Sequence, residues 1–181
     1  MRSSADRAGW GGLSCLAAIY IGVRVIGAIL GVWAAHLMFE LLLWQLSVTA
    51  RTGSGQWFAE AIATFGLLLT ILGCSARIRS AVPYAVGLYI TSAYWFTAST
   101  SFANPAVTIA RSLCDTFAGI APAGVVAFIV AQLVGMLGGI CFMSASCLLH
   151  VAFTPEIGHS SPPLACPLCA RSGHELLLDT P

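Results

Sequence analysis

The fold is decided by one short stretch of the sequence, Ser99-Thr100-Ser101-Phe102-Ala103-Asn104-Pro105-Ala106-Val107. Asn104 is a residue type favoured at a helix N-cap, and Pro105 suits the first helical position. Gly119 is a typical helix terminator, so a helix is predicted over residues 104–118. Residues 106–118 would be roughly 20 Å long, because each residue adds about 1.5 Å. Such a helix is too short to cross the ~30 Å hydrocarbon layer of a bilayer.

The composition around this stretch places the chain in a membrane. Of the 181 residues, 58% are hydrophobic and 8% are charged, whereas soluble globular proteins contain about 25% charged residues. The net charge is +1, with no lysine. Neither nucleic acids nor other polyanions are expected as partners of so weakly charged a chain.

Four segments are long and apolar enough to span a bilayer, which takes ~20 residues each. They are approximately residues 13–37, 57–74, 82–98 and 122–149. A polar N-terminal segment, residues 1–12, precedes them. A tail, residues 151–181, follows them and is expected to be disordered.

The arginines predict the orientation of these spans. Arg2 and Arg7 precede the first span, and Arg77 and Arg79 lie between the second and the third. Two crossings separate the pairs, so both pairs lie on one side of the membrane. The excess of arginine makes that side the cytoplasmic one.

Residues 99–120 are predicted to enter the membrane and return to the side they came from. They are too apolar for an ordinary loop and too short and interrupted to cross twice. Non-helical backbone at that depth is tolerated only where protein buries it or where it lines a water-filled cavity. The predicted fold class is therefore an all-α membrane protein with about four transmembrane helices and one re-entrant half-helix beside a pore or cleft. The alternative is a surface loop followed by an ordinary amphipathic helix.

The first and last spans also resemble each other. Tyr20-Ile21, Arg24, Gly27 and Gly31 match Phe128-Ile129, Gln132, Gly135 and Gly139 at a constant offset of 108 residues. In the predicted topology these two spans enter the membrane from opposite sides. Inverted repeats of this kind place a substrate path at the axis between them.

The stretch 99–107 resembles the second Asn-Pro-Ala (NPA) loop of the aquaporin, or major intrinsic protein, family. Glu60-Ala61-Ile62-Ala63-Thr64-Phe65 resembles the family's repeat-opening glutamate helix, and Phe128-Ile129-Val130-Ala131-Gln132-Leu133-Val134-Gly135 resembles its sixth helix. The resemblance covers about residues 13–150 and implies an aquaporin-like channel domain. By their order, the four spans look like family helices three to six.

A full family member has two NPA loops that meet head to head, whereas this sequence contains one. Helices one and two and the first NPA loop have no counterpart. The resemblance therefore implies half of a pore. The hypotheses for this are a truncated gene product, a wrong start site and a frameshifted copy.

The resemblance assigns roles to Asn104, Pro105 and Ala106. The Asn104 amide would donate a hydrogen bond to the oxygen of a passing water or polyol, aided by the positive end of the half-helix. Pro105 and Ala106 would hold the two loops together in a complete channel. The alternative is that Asn104 serves only as an N-cap.

The predicted selectivity filter consists of Val107, Ser101 and Ser92. The family usually has an arginine where this chain has Val107, and an isopropyl group makes the constriction wider, uncharged and less polar. This predicts passage of small uncharged solutes such as glycerol, urea or metalloid hydroxides like arsenite. Arg111, one turn beyond Val107, would either restore part of the charge or pair with Asp115.

Two further charged residues lie within spans, where charge is costly. By the resemblance, Glu60 would support the re-entrant loop by accepting backbone hydrogen bonds. Arg24 stands where the family usually has an uncharged polar residue. The Arg24 side chain would either extend its charged end to the membrane interface or pair with a carboxylate. The remaining alternative is a mutation fixed in a gene copy no longer under selection.

The tail contains Cys166, Cys169 and His174, whose spacing could ligate zinc if His159 came near. A disordered tail without metal is the favoured interpretation. No disulfide framework, metal site or cofactor is predicted.

Taken with the resemblance, these features predict a passive channel for water and small neutral solutes, without catalytic residues. The alternative is a non-conducting membrane fragment, or an assembly partner that needs the missing half. The expected surroundings are a lipid bilayer, as a multi-pass protein of a bacterial-type plasma (inner) membrane. Family members are usually tetramers, so a homotetramer is the implied assembly.

Overall fold

The computed structural model describes residues 4–153, with side chains described from residue 15 to residue 146. The described part is helical, and it contains no β-strand. The helices are α1 (Ser4–Met38), α2 (Ser54–Arg77), α3 (Val82–Phe96), α4 (Pro105–Arg111) and α5 (Pro122–Phe153), with a 3-10 turn at Arg79–Ala81. The prediction of an all-α fold class is confirmed.

Three of the helices are long and apolar enough to cross a membrane, namely Cys15–Met38 within α1, the whole of α2, and Pro122–Ser146 within α5. The third predicted span corresponds to α3, which has 15 residues. At about 1.5 Å per residue α3 is roughly 22 Å long, less than the hydrocarbon thickness. The 3-10 turn before it extends the same segment towards α2.

Helix α2 is the centre of the packing, since it contacts both α3 and α5. The contact with α5 is close because Gly135 lies against the backbone of α2. A Cβ atom added at Gly135 would collide with the carbonyl oxygen of Ala61 and lie 3.0 Å from its Cα atom. A residue without a side chain therefore lets these two helices approach closely.

Helix α1 is attached differently. It packs on α4, and its apolar window is not buried among the described residues. Gly27 and Gly31 are the repeat counterparts of Gly135 and Gly139, and a Cβ atom added at either would have no neighbouring heavy atom within 4 Å. The two repeat-related helices thus present the same glycine pattern, but only α5 uses it for contact within the described residues.

The half-helix is shorter than its sequence predicts, since α4 ends at Arg111 rather than at residue 118. The Arg111 carbonyl accepts from Ile120 N at 3.3 Å, and the Ser112 carbonyl accepts from Ser47 N at 2.9 Å. If the helix continued, each of these carbonyls would accept a hydrogen bond from the N–H group four residues further along the chain. Partners from other segments therefore end the helix.

The outer bounds differ from the prediction as well. Helix α1 begins at Ser4, inside the segment predicted as a separate polar N-terminus, and α5 continues to Phe153. The predicted tail from residue 154 onwards, with its zinc-like Cys and His spacing, lies outside the described residues.

Candidate functional site

The re-entrant loop has an unusual backbone. Thr100, Ser101 and Ala103 have φ angles of 59°, 44° and 47°. Left-handed conformations are uncommon for residues other than glycine, and each costs on the order of 1–3 kcal/mol unless the surroundings hold it. Ser101, Phe102 and Ala103 are all buried. The loop therefore depends on contacts that compensate for this strain.

Glu60 of α2 supplies those contacts. Its Oε2 accepts a hydrogen bond from Phe102 N at 3.2 Å, and its Oε1 accepts one from Ala103 N at 2.5 Å. Glu60 has no exposed surface. A buried carboxylate is tolerated only when donors replace its lost hydration, and here the loop provides two of them.

Gln132 of α5 supplies a third donor. Its Nε2 donates to Glu60 Oε1 at 2.8 Å and to Thr108 Oγ1 of α4, also at 2.8 Å. Thr108 Oγ1 in turn donates to the Asn104 carbonyl at 3.0 Å. The buried network therefore joins α2, α4, α5 and the loop, and it fixes where α4 begins.

Asn104 caps α4. Its Oδ1 accepts from Ala106 N at 2.9 Å, with Pro105 in the first turn. Because the oxygen is used by the cap, the amide nitrogen is the atom left to donate. Asn104 also lines the main cavity. The cap and a donor role are therefore compatible at this residue.

The main cavity has a volume of about 580 Å³ and is lined by the re-entrant loop and by residues of all five helices. Its lining is mostly apolar, and its polar residues come from α1, α2, α4, α5 and the loop. The lining residues are Arg24, Thr64, Leu67, Leu68, Ile71, Val86, Ile90, Ser101, Phe102, Ala103, Asn104, Pro105, Val107, Arg111, Gln132, Leu133 and Met136. A smaller cavity of about 280 Å³ between α1 and α4 shares Val107 and Arg111 with it.

The cavity brings together most of the residues predicted as a filter, but not all of them. Val107 and Ser101 line it, whereas Ser92 does not. Ser92 is exposed, and its hydroxyl donates to the Leu88 carbonyl of its own helix at 2.9 Å. The residues of α3 that line the cavity are Val86 and Ile90, which share one face at a spacing of four. Ser92 points away from that face, two positions beyond Ile90.

Arg51, in the segment between α1 and α2, was not singled out from the sequence. It is 4% exposed, and all its nitrogens donate to backbone carbonyls: Nε to Gly119 at 2.7 Å, Nη1 to Ser99 at 3.1 Å and Nη2 to Phe117 at 2.8 Å. Burial, followed by the positive charge of Arg111, lowers the pKa of the Arg51 guanidinium. The only hint in the sequence was that a lone arginine stands in a short interhelical segment. Its three acceptor carbonyls lie in distant segments, so the sequence could not reveal these hydrogen bonds.

Arg111 does not pair with Asp115. Asp115 Oδ1 accepts from Val48 N at 3.1 Å, while Arg111 Nη1 donates to the Ala118 carbonyl at 3.5 Å. The Arg111 guanidinium instead lies 4.5 Å from the centre of the Phe102 ring. The sequence left two roles open for Arg111, an ion pair with Asp115 and a charge in the pore. The geometry favours the second.

Metal binding and nucleophilic chemistry find no support in the part of the chain with described side chains. No group of three His, Cys, Asp or Glu residues lies close enough there to hold a metal ion. Glu60, the buried carboxylate, has its oxygens occupied by three N–H donors. What the site offers is a cavity with hydrogen-bond donors.

The chain is similar to the aquaglyceroporin AqpS of Rhizobium meliloti (strain 1021), with 49% identity over 148 residues. The match covers 82% of this chain and 62% of the relative, so the chain spans less than two thirds of the relative's length. No family model matches the chain. No solved structure gives a significant match.

Proposed function

Because the chain belongs to the aquaporin (major intrinsic protein) family, we propose that it forms a passive membrane channel for water and small neutral solutes. The chain is an integral membrane protein, and a bacterial plasma membrane is its proposed location. One observation carries the proposal: the re-entrant loop, the capped Asn104 and the apolar faces of α2, α3 and α5 enclose one cavity. The function is passage of solute and involves no covalent chemistry.

We infer the solute class from the lining at Val107. A narrow apolar tube with a few donors orients neutral solutes and opposes ions. Val107 presents an isopropyl group beside Asn104 and Ser101, which leaves room for molecules larger than water. We propose glycerol, urea and undissociated metalloid hydroxides such as arsenite as the class that passes, with Asn104 as a donor to their oxygens.

Stopped-flow swelling of proteoliposomes tests the channel. Vesicles containing the purified chain should take up glycerol faster than empty vesicles made from the same lipid. Circular dichroism and size-exclusion chromatography of the reconstituted protein establish that it is folded. Folded protein with no flux above the empty vesicles would contradict the proposal for this chain alone.

Val107→Arg tests the selectivity. A guanidinium narrows the passage and adds a hydrated charge, so glycerol permeability should fall at least about tenfold, while water permeability falls less. Val107→Leu is the matched control, since it adds bulk without charge. Equal losses of water and glycerol flux in the arginine variant would show that Val107 does not set the solute selectivity.

A second candidate function is that the chain conducts only together with another polypeptide. The observation in its favour is α1, which contacts only α4 among the described helices and leaves Leu16, Ile26 and Leu30 more than half exposed. Lipid could cover this face as well as protein could. Chemical cross-linking in native membranes distinguishes the two, because a partner would give a defined heteromeric band.

A further inference from the structure

Two arginines flank the ring of Phe102, and their surroundings differ. The guanidinium carbon of Arg51 lies 5.3 Å from the ring centre and that of Arg111 lies 4.5 Å from it. Arg51 donates through all three nitrogens to backbone carbonyls. Among the residues whose side chains are described, Arg111 makes a single long hydrogen bond of 3.5 Å. A guanidinium has five N–H groups, so Arg111 keeps most of its donors available.

We propose that Arg111 excludes cations from the part of the cavity beside Phe102 and donates hydrogen bonds to the neutral solutes that enter it. This inference rests on the proposed channel function and deepens it. The ligands are small uncharged molecules with hydroxyl or carbonyl oxygens. Arg111 lines both cavities, together with Val107.

No carboxylate forms an ion pair or a hydrogen bond with Arg111 among the residues whose side chains are described. Glu60 accepts from Phe102, Ala103 and Gln132, and it acts on the Arg111 guanidinium only through space. Asp115 is exposed and accepts from Val48 N. In an apolar cavity, a positive charge without a directly bonded counter-ion repels cations more strongly than it would in water.

Aromatic rings position the guanidinium without using its N–H groups. Phe102 lies against one arginine face at 4.5 Å, and Tyr94 lies 5.9 Å away. A cation over a ring face is attracted electrostatically, while its N–H groups, which lie in the guanidinium plane, remain free. This arrangement suits a donor that must bind and release solutes repeatedly.

Three variants of the full chain in proteoliposomes test the charge. Arg111→Met removes the charge and all donors at similar length, Arg111→Lys keeps the charge, and Arg79→Met removes an exposed arginine far from the cavity. Potassium leak should rise about tenfold in the methionine variant, which corresponds to an energy barrier lowered by about 1.4 kcal/mol. It should stay at the wild-type level in the other two. Wild-type potassium exclusion in folded Arg111→Met would overturn the inference.

A labelling experiment gives a readout that does not depend on flux. Phenylglyoxal reacts with accessible guanidinium groups, and peptide mass spectrometry identifies the modified arginines in the reconstituted wild type. Arg111 should be modified, as the exposed Arg79 is, whereas Arg51 should resist. Protection of Arg111 to the level of Arg51 would overturn the inference even if glycerol passes. Labelled Arg111 without any glycerol flux would support Arg111 as the free donor while contradicting the channel.

Discussion

Glu60 connects three separate parts of the molecule through one carboxylate. It lies on α2, accepts from two backbone N–H groups of the re-entrant loop, and accepts from Gln132 on α5. The N–H groups belong to Phe102 and Ala103, and Ala103 is one of the left-handed residues. The strained loop is therefore held by a charge that the loop itself shields from lipid.

Replacing this charge should destabilise the fold. In Glu60→Gln one acceptor oxygen becomes an NH₂ group that faces another donor, and the expected cost is about 1–3 kcal/mol. Thermal unfolding of the detergent-purified protein measures it as a lower Tm. Glu40→Gln is the control, because Glu40 is exposed and its side chain makes no hydrogen bond among the described residues. Equal Tm values for the two variants would contradict the role given to Glu60.

At the scale of helices, α2 and α5 form the closest pair. Gly135 permits the contact, because any side chain there meets the backbone at Ala61. The repeat-related Gly27 on α1 occupies the equivalent position but faces open space. The same residue type therefore has different structural consequences at the two positions.

Gly135→Ala and Gly27→Ala form a matched pair of substitutions. The methyl group at Gly135 must push α2 away, at a cost of about 1–3 kcal/mol. At Gly27 the same change should leave stability unchanged or slightly higher, since alanine is the better helix former. The difference in Tm between the two variants is the measurement. Equal effects would mean that the α2–α5 contact is looser than described or that α1 is covered as tightly as α5.

The helices could be predicted from the sequence because apolar length and the Asn104-Pro105 start are local signals. The end of α4 could not be predicted, since Ser47 and Ile120 end it from distant segments. Ser101 and Val107 reached the cavity as expected from their spacing to Asn104. Ser92 does not line the cavity. Predicting which face of α3 points inwards requires the rotation of this helix about its axis, and loop lengths do not determine that rotation.

The whole molecule has two ends of different construction. At one end, the segment of residues 39–53 binds the segment of residues 112–121, through bonds such as Ala121 N to the Thr49 carbonyl at 2.8 Å. At the other end, residues 77–81 form a short exposed turn with two arginines. The charge distribution predicts that this turn lies in the cytoplasm and that the paired segments lie outside.

Protease sites inserted into the full chain test this orientation. A site between Leu42 and Leu43 should be cut by protease added outside spheroplasts, because both residues are exposed in the outer segment. A site between Arg79 and Ser80 should be cut only after lysis. Cleavage of the second site in intact spheroplasts, with the first protected, would reverse the proposed topology.

The contacts of Arg51 also bear on how the chain is assembled during synthesis. Its three acceptor carbonyls lie 48, 66 and 68 residues further along the chain. The arginine emerges from the ribosome long before Gly119, and its guanidinium must stay hydrated until α3 and the re-entrant loop have inserted. We therefore expect the contact between residues 39–53 and residues 112–121 to form late in biogenesis, with the charge of Arg51 keeping the unfinished segment in water until its partners have inserted.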